Sequence, residues 1–497
     1  MYNPKLANLV NDWLPEATIN TLQHALETGT ITSKELVLMY LHRISQHDQK
    51  GTAINSILEI NPDAVFLAEA LDHERKQNGA RGPLHGIPVF IKDNIDTADK
   101  MHTSAGSIAL AEHFPKEDST VAKSLKEAGA IILGKTNMTE WANFMTEKMP
   151  SGYSSRGGQV LNPYGPGVFD VGGSSSGSGA SIAANFAAAA IGTETSGSIL
   201  SPASSNSLVG IKPTVGLISR KGIISITYSQ DTAGPMTRTV ADAAILLSVL
   251  TQTDKQDPAT LSNPEPGMSY SDFLLKEGLQ GMRIGIARDP YFTYLSEEEG
   301  QVMERAIADL QKQGAIIVED VNIPFAKDEW DYHTLFYEFK SSLNAYLSTT
   351  ASHIPIKSLK DLINFNDKAP DKMLKYDQTI LKECEKLSGA LTEETYLVSR
   401  EKDLYRTQTG GIDAVMAELQ LDAILTPNNF GASLPAKAGY PSITVPGGYT
   451  TDGKPVGVTF TAKAFEESKL IQIGYAYEQA TLHRKAPDLH YKEEEQG

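Results

Sequence analysis

Two serine-rich turns carry the side chains best suited to attack a substrate. The first is Gly172-Gly173-Ser174-Ser175-Ser176-Gly177-Ser178-Gly179, and the second is Gly192-Thr193-Glu194-Thr195-Ser196-Gly197-Ser198-Ile199-Leu200-Ser201-Pro202. A serine hydroxyl can donate, accept or attack, and glycine lets the backbone approach a ligand closely. Attack requires a base to activate the oxygen, donors for the charge that develops on the substrate, and a proton for the leaving group. Gly/Ser clusters are also common as flexible linkers. A linker is not followed by an apolar segment such as 180–190, nor does it recur beyond it with threonines and a proline.

The elements around these turns follow from pattern. Residues 180–190 are almost all small and apolar and read as a buried helix framed by the two turns. Upstream, Thr32 with Glu35 three residues later is a capping box that opens the helix TSKELVLMYLHRI, and 71–77 reads as helical too. Residues 86–91 form a strand that is apolar on both faces and ends at Lys92. A strand so apolar does not lie at an edge, so Lys92 is predicted to point into a covered site, with Asp93 turned to the opposite face by strand alternation. Further along, a helix over 119–128 closed by Gly129 leads into a strand at 130–133. Strand, helix and strand follow at 282–287, 297–313 and 315–319, a helix starts near 240, and buried strands lie at 422–427, 440–446 and 457–461. Strands alternating with helices imply an α/β sheet with helices on both faces.

The runs GGSSSGSGAS and IGTETSGSILSPAS resemble the signature of the amidase signature family, whose members hydrolyse amide carbon–nitrogen bonds with a Ser-Ser-Lys triad. The resemblance implies a large mixed central sheet within one domain spanning 1–497. Its signature core is 60–250, a more variable helical, substrate-facing region is about 290–410, and 420–487 completes the sheet. It makes Ser198 the nucleophile and Ser174, preceded by a cis peptide bond, the bridging serine, at the family's separation of 24 residues. Gly86-Ile87-Pro88-Val89-Phe90-Ile91-Lys92-Asp93 matches the stretch that holds the lysine. On this reading a neutral Lys92 takes the proton of Ser174, which takes that of Ser198. A lysine must then be held near 7 or 8 rather than about 10.4, as burial can do. Backbone N–H groups of Thr195, Ser196, Gly197 and Ser198 would meet the oxyanion, with Ser175, Thr193 and Asp231 in support. The chain departs from the family where Ser196 replaces a more usual Gly and Leu200 a more usual Arg. The second departure removes a charge whose role must be filled otherwise.

Within the family, GKTNMTEWANF, Ser154–Gln159, GTETxGSI and SQDTAGPM look most like bacterial peptide amidases, which remove the C-terminal amide of peptides by way of an acyl-enzyme. A small-molecule or peptide amide is then the substrate, with no cofactor, no metal and no obligatory protein partner. The alternative within the family is the glutaminase subunit of glutamyl-tRNA(Gln) amidotransferase, which needs partner subunits; residues 230–235 look less like that branch. An inactive binding protein on the same fold is disfavoured because all three triad positions are present.

Two other motifs compete. Residues 129–136 match the P-loop pattern G-x-x-x-x-G-K-[ST], but the phosphate cradle requires a flexible loop where Ala130–Leu133 is strand material preceded by a helix. Gly173–Gly177 matches G-x-S-x-G, which needs an acid and then a histidine downstream. The histidines available are His333, His353, His483 and His490, none in a loop that looks catalytic.

A net charge of −17 over 497 residues argues against an electrostatic footprint for nucleic acid or anionic membrane. The single Cys384 excludes an internal disulfide and, flanked by Glu383 and Glu385, reads as a structural or surface thiol. No signal peptide or membrane-length apolar window is visible, and the expected location is the cytoplasm.

Overall fold

The alternating strands and capped helices assemble into one mixed sheet in the computed structural model, which describes residues 3–319 and 321–489, so that His490 lies outside the described residues. The strands are β1 (Ile57–Ile60), β2 (Pro88–Lys92), β3 (Ile131–Thr136), β4 (Tyr153–Ser154), β5 (Gly158–Gln159), β6 (Ala189–Glu194), β7 (Val209–Lys212), β8 (Thr232–Thr237), β9 (Arg283–Ile286), β10 (Ile316–Val318), β11 (Ala423–Pro427), β12 (Ser442–Tyr449) and β13 (Pro455–Thr461). Apart from the small β4–β5 hairpin they form an 11-stranded sheet in the order β1-β3-β2-β6-β8-β7-β12-β13-β11-β9-β10. The runs β3-β2-β6 and β11-β9-β10 are parallel, and the other neighbours are antiparallel. Every residue of β2, β3, β6, β7, β8, β11 and β13 is buried. Successive side chains point to opposite faces, so both faces of this sheet are covered, as expected for an α/β fold with helices on each side.

The predicted capping box is present: Thr32 Oγ1 accepts from Glu35 N, and Glu35 Oε2 accepts from Thr32 N, opening the helix Ser33–His47. The P-loop match does not form a loop. Residues 131–136 are β3, and the Lys135 ammonium is buried against the Ile95 carbonyl at 2.6 Å and Thr103 Oγ1 at 2.8 Å, with no space for a phosphate.

One predicted element is corrected. The helix expected over 180–190 runs instead from Ser176 to Ala183, starting inside the first serine turn, and Ala189 and Ala190 belong to β6. Asn185 ends the helix at φ 61°, with Phe186 N donating back to Ser181 O and Asn185 N to Ile182 O, the paired bonds of a left-handed helix stop. Short apolar runs read alike as buried helix or buried central strand, which is why composition did not separate them. The second serine turn therefore ends a strand.

The sheet and its helices share one large apolar core. A second cluster joins Ala105, Met138, Trp141 and Met145 to helices His333–Thr349, Leu359–Asn366 and Thr379–Lys386. The strand–helix–strand segment from β9 to β10, with its helix Glu297–Lys312 capped by Ser296, belongs to the sheet. The helices that overhang the site begin only at His333. No helix among the described residues is long and apolar enough to cross a membrane.

Candidate active site

Strands β2 and β6 run parallel, so their carboxyl ends emerge together, and β8 enters beside them antiparallel with Thr232 opposite Glu194. This juxtaposition brings Lys92 from the end of β2, Thr193 and Glu194 from β6 and Asp231 from the approach to β8 to one place. The carboxyl ends of parallel strands are where α/β sheets place ligands. Ser174 comes to the same place from the turn before helix Ser176–Ala183, and the peptide bond Gly173–Ser174 is cis, as the resemblance implied.

Lys92 is fully buried, with Nζ 2.7 Å from Ser174 Oγ, 2.9 Å from Thr193 Oγ1 and 3.2 Å from the Thr193 carbonyl. Burial lowers its pKa to about 7, against the opposing pull of Asp231 and Glu194. Asp93 faces another set of partners: its Oδ2 accepts from the hydroxyl of Ser104 and, at 2.9 Å, from Gly106 N, with Arg156 Nη1 3.8 Å from Oδ1. The strand alternation expected from sequence separates the two neighbours. Asn94 returns to the site, donating from Nδ2 to Thr193 Oγ1 at 3.0 Å and to the Ile224 carbonyl at 3.2 Å.

Ser175 clamps the two turns together. Its N–H donates to the Ser198 carbonyl at 3.1 Å, and its hydroxyl donates to Thr193 O at 3.0 Å while accepting from Thr193 N at 3.2 Å. That hydroxyl is fully engaged, and among the described residues no histidine lines the adjoining cleft, so the G-x-S-x-G pattern lacks its base. Asp231 holds Thr195 Oγ1 at 2.6 Å and accepts from Ser225 Oγ and the N–H of Ile226 and Thr227, fixing the loop 225–227 beside the second turn.

The second turn is built around a residue that sequence reasoning did not single out, Glu194. Its fully buried carboxylate accepts from Gly197 N at 2.7 Å, Ile199 N at 2.7 Å and Leu200 N at 3.0 Å. The N–H of Gly197, one of the four expected to face the oxyanion, is thereby corrected: it points at Glu194. The N–H groups of Thr195, Ser196 and Ser198 have no hydrogen-bond partner among the described residues. Gly197 sits at φ 85° with Asn429 Nδ2 3.2 Å from where a Cβ would lie, so this bend requires glycine. Burial raises the Glu194 pKa, opposed by its three backbone donors and by the buried Lys212. Lys212 Nζ itself donates to the carbonyls of Pro435 and Tyr440, so its charge acts on Glu194 through space without a direct contact. A Glu194→Gln chain is expected to lose about 2–3 kcal/mol in urea unfolding and more than tenfold in turnover, because an amide NH2 would face backbone donors that it cannot accept from.

Ser198 Oγ carries no hydrogen bond among the described residues and lines a cleft of about 520 Å³. The second turn forms the polar floor. Phe144, Met149 and Ile226 form its walls, together with Leu335 and Phe336 from helix His333–Thr349 and Ile380 from Thr379–Lys386. Among the lining residues there is no lysine or arginine, and Glu147 is the charged one. Asn429, in the loop after β11, also lines the cleft; no motif in the sequence marked it. Cys384 is buried in the second apolar cluster with its thiol pushed up to about 12, so of the two readings, structural and surface, the structural one holds.

A large mixed sheet with a buried lysine, paired serine turns and a cleft above them defines an amidase-type hydrolase. The family model described as Amidase matches residues 35–471, and the chain belongs to the amidase family. It is accordingly a hydrolase of carbon–nitrogen bonds other than peptide bonds. A probable amidase from Arabidopsis thaliana is 41% identical over 488 residues, covering 95% of this chain and 92% of the plant protein. The structure of native peptide amidase from Stenotrophomonas maltophilia superposes with a TM-score of 0.91 at 42% identity, covering 96% of this chain and 100% of that one. A glutamyl-tRNA(Gln) amidotransferase subunit from Pseudomonas syringae pv. tomato is 32% identical over 500 residues, covering 95% of this chain and 99% of its own.

Proposed function

We propose that this chain, acting alone, releases ammonia from C-terminally amidated peptides or similar small linear amides. The observation that carries the proposal is Lys92: a fully buried amine lowered to about 7 and 2.7 Å from Ser174 Oγ, beneath a cleft walled in part by Ser198. Neutral Lys92 takes the proton of Ser174, and Ser174 Oγ takes that of Ser198. Ser198 Oγ then attacks the amide carbon, and the oxyanion is met by the N–H groups of Thr195, Ser196 and Ser198. The relay returns the proton to the departing nitrogen, which leaves as ammonia, and water attacks the resulting ester to free the acid and Ser198. Ser198 and Ser174 share no direct hydrogen bond, and catalytic contacts of this kind commonly tighten only with substrate.

The apolar walls and the likeness to a peptide amidase support a peptide amide as substrate. Free glutamine carries an α-carboxylate at the far end of its chain from the amide, which a cation within reach would pair; the cleft lining offers none. The test is ammonia release by the purified chain from a C-terminally amidated dipeptide, from glutamine and from an aryl amide, each compared with Ser198→Ala. Serine-dependent release mainly from the dipeptide amide is expected. Release from glutamine alone would replace this reading with that of an amidotransferase glutaminase subunit.

A further inference from the structure

Beside the site, around Asn94, lies a small cavity of about 10 Å³ whose polar lining side chains are Asn94, Trp141 and Ser225, with Met138, Ile224 and Phe339 among the apolar ones. Two residues of this lining each carry a side-chain atom that is buried without a partner: the donor Trp141 Nε1 and the acceptor Asn94 Oδ1. Both residues are 2% exposed. The other polar side chain, Ser225, commits its hydroxyl to Asp231 Oδ2 at 2.6 Å. An unpaired buried donor or acceptor is costly, and about 10–15 Å³ between polar groups suffices for one water. The Asn94 amide cannot turn over to relieve its oxygen. Its Nδ2 faces the Ile224 carbonyl, an obligate acceptor.

We propose that this cavity holds one resident water that accepts from Trp141 Nε1 and donates to Asn94 Oδ1, making Trp141 and Asn94 positioning residues for Lys92. The inference rests on the reading of Lys92 as the base. Asn94 Nδ2 donates to the same Thr193 Oγ1 that lies 2.9 Å from Lys92 Nζ. A hydrogen bond given to that oxygen makes it a poorer acceptor for an ammonium, so a fixed Asn94 helps hold the amine neutral. The water anchors the far end of the Asn94 amide to Trp141. Trp141 is in turn fixed by three successive left-handed residues, Trp141 at φ 51°, Ala142 at 56° and Asn143 at 68°. Such backbone marks functional sites more often than ordinary turns, and Ala142 and Asn143 also line the cleft.

The test is a pair of measurements. A high-resolution crystal structure of the wild-type chain is expected to show one ordered water within hydrogen-bond distance of Trp141 Nε1 and Asn94 Oδ1. Trp141→Phe, which keeps an aromatic ring and removes the donor, is expected to move the acid limb of the kcat/KM profile upward by roughly 0.5–1 pH unit, with KM little changed. An empty cavity in that structure, or a limb that stays in place in Trp141→Phe, overturns the proposal. Failure of the underlying reading looks different: the wild-type chain would then show no limb near 7, whatever Trp141 does. If Trp141→Phe does not fold, Asn94→Ala takes its place in the pH measurement, and the crystallographic outcome decides independently.

Discussion

Replacing Ser198 by alanine is expected to lower ammonia release by about 10³-fold or more while leaving the thermal midpoint essentially where it was. The two halves of this expectation have separate physical grounds. Ser198 Oγ makes no hydrogen bond among the described residues and borders the open cleft, so its removal orphans no buried partner and opens no closed void. The backbone around it is held by other groups, Glu194 on the N–H side and Ser175 N on the Ser198 carbonyl. What disappears is the atom that forms the bond to the substrate. Ser174→Ala is the informative contrast. It also breaks the relay, but it strips the buried Lys92 amine of its 2.7 Å partner, so it should lose stability together with activity. Measuring turnover and melting side by side for the two variants separates nucleophile from bridge. A Ser198→Ala chain that retained more than about a tenth of the turnover would sink the assignment of the nucleophile.

How far an element is legible in the sequence depends on whether it carries its own local signal. Capped helices do: Thr32 with Glu35 stood out because the reciprocal bonds of a capping box need those residue types at that spacing. Lys92 stood out because a cation closing a strand of Pro88–Ile91 character has nowhere to go but a covered site. Residues 180–190 misled because small apolar side chains suit a buried helix and a central strand alike, and only the stop at Asn185 distinguishes them. Glu194 is unmarked in the sequence for a different reason. Its work is to fold one acidic side chain back onto the N–H groups of its own turn, and nothing in a single sequence says whether a glutamate in a turn faces outward or inward. The same geometry is what takes Gly197 N–H away from the oxyanion. Asn429 and Ile380 reach the cleft through long-range packing, a relation that local pattern does not encode.

Lys92→Met provides the second large effect, and here activity should fall while the contribution of this site to stability loses its pH dependence. The thioether fills a similar volume without a titratable group, so turnover is expected to fall by about 10³-fold or more, since nothing remains to take the proton of Ser174. Stability follows from the depressed pKa. The unfolded chain keeps this lysine protonated up to its ordinary value of 10.5, whereas the folded chain keeps it protonated only below about 7. Between those limits the unfolded state binds one proton more, so wild-type stability rises with pH through that window, by at most about 1.4 kcal/mol per pH unit. Below pH 7 both states are charged and the penalty of burying the ammonium is present in full; above 10.5 both are neutral and it is gone. The methionine variant has no such slope. Its advantage over the wild type should therefore be greatest below pH 7 and shrink steadily toward alkaline pH, after a constant offset for the partners that Ser174 and Thr193 lose. Urea unfolding of both proteins between pH 6 and 10 measures the difference in slope, which is insensitive to that offset. The wild-type kcat/KM should fall on the acid side of about pH 7, where the amine charges. Parallel stability curves would mean that Lys92 titrates alike in both states. The buried, neutral base on which the relay depends would then be absent.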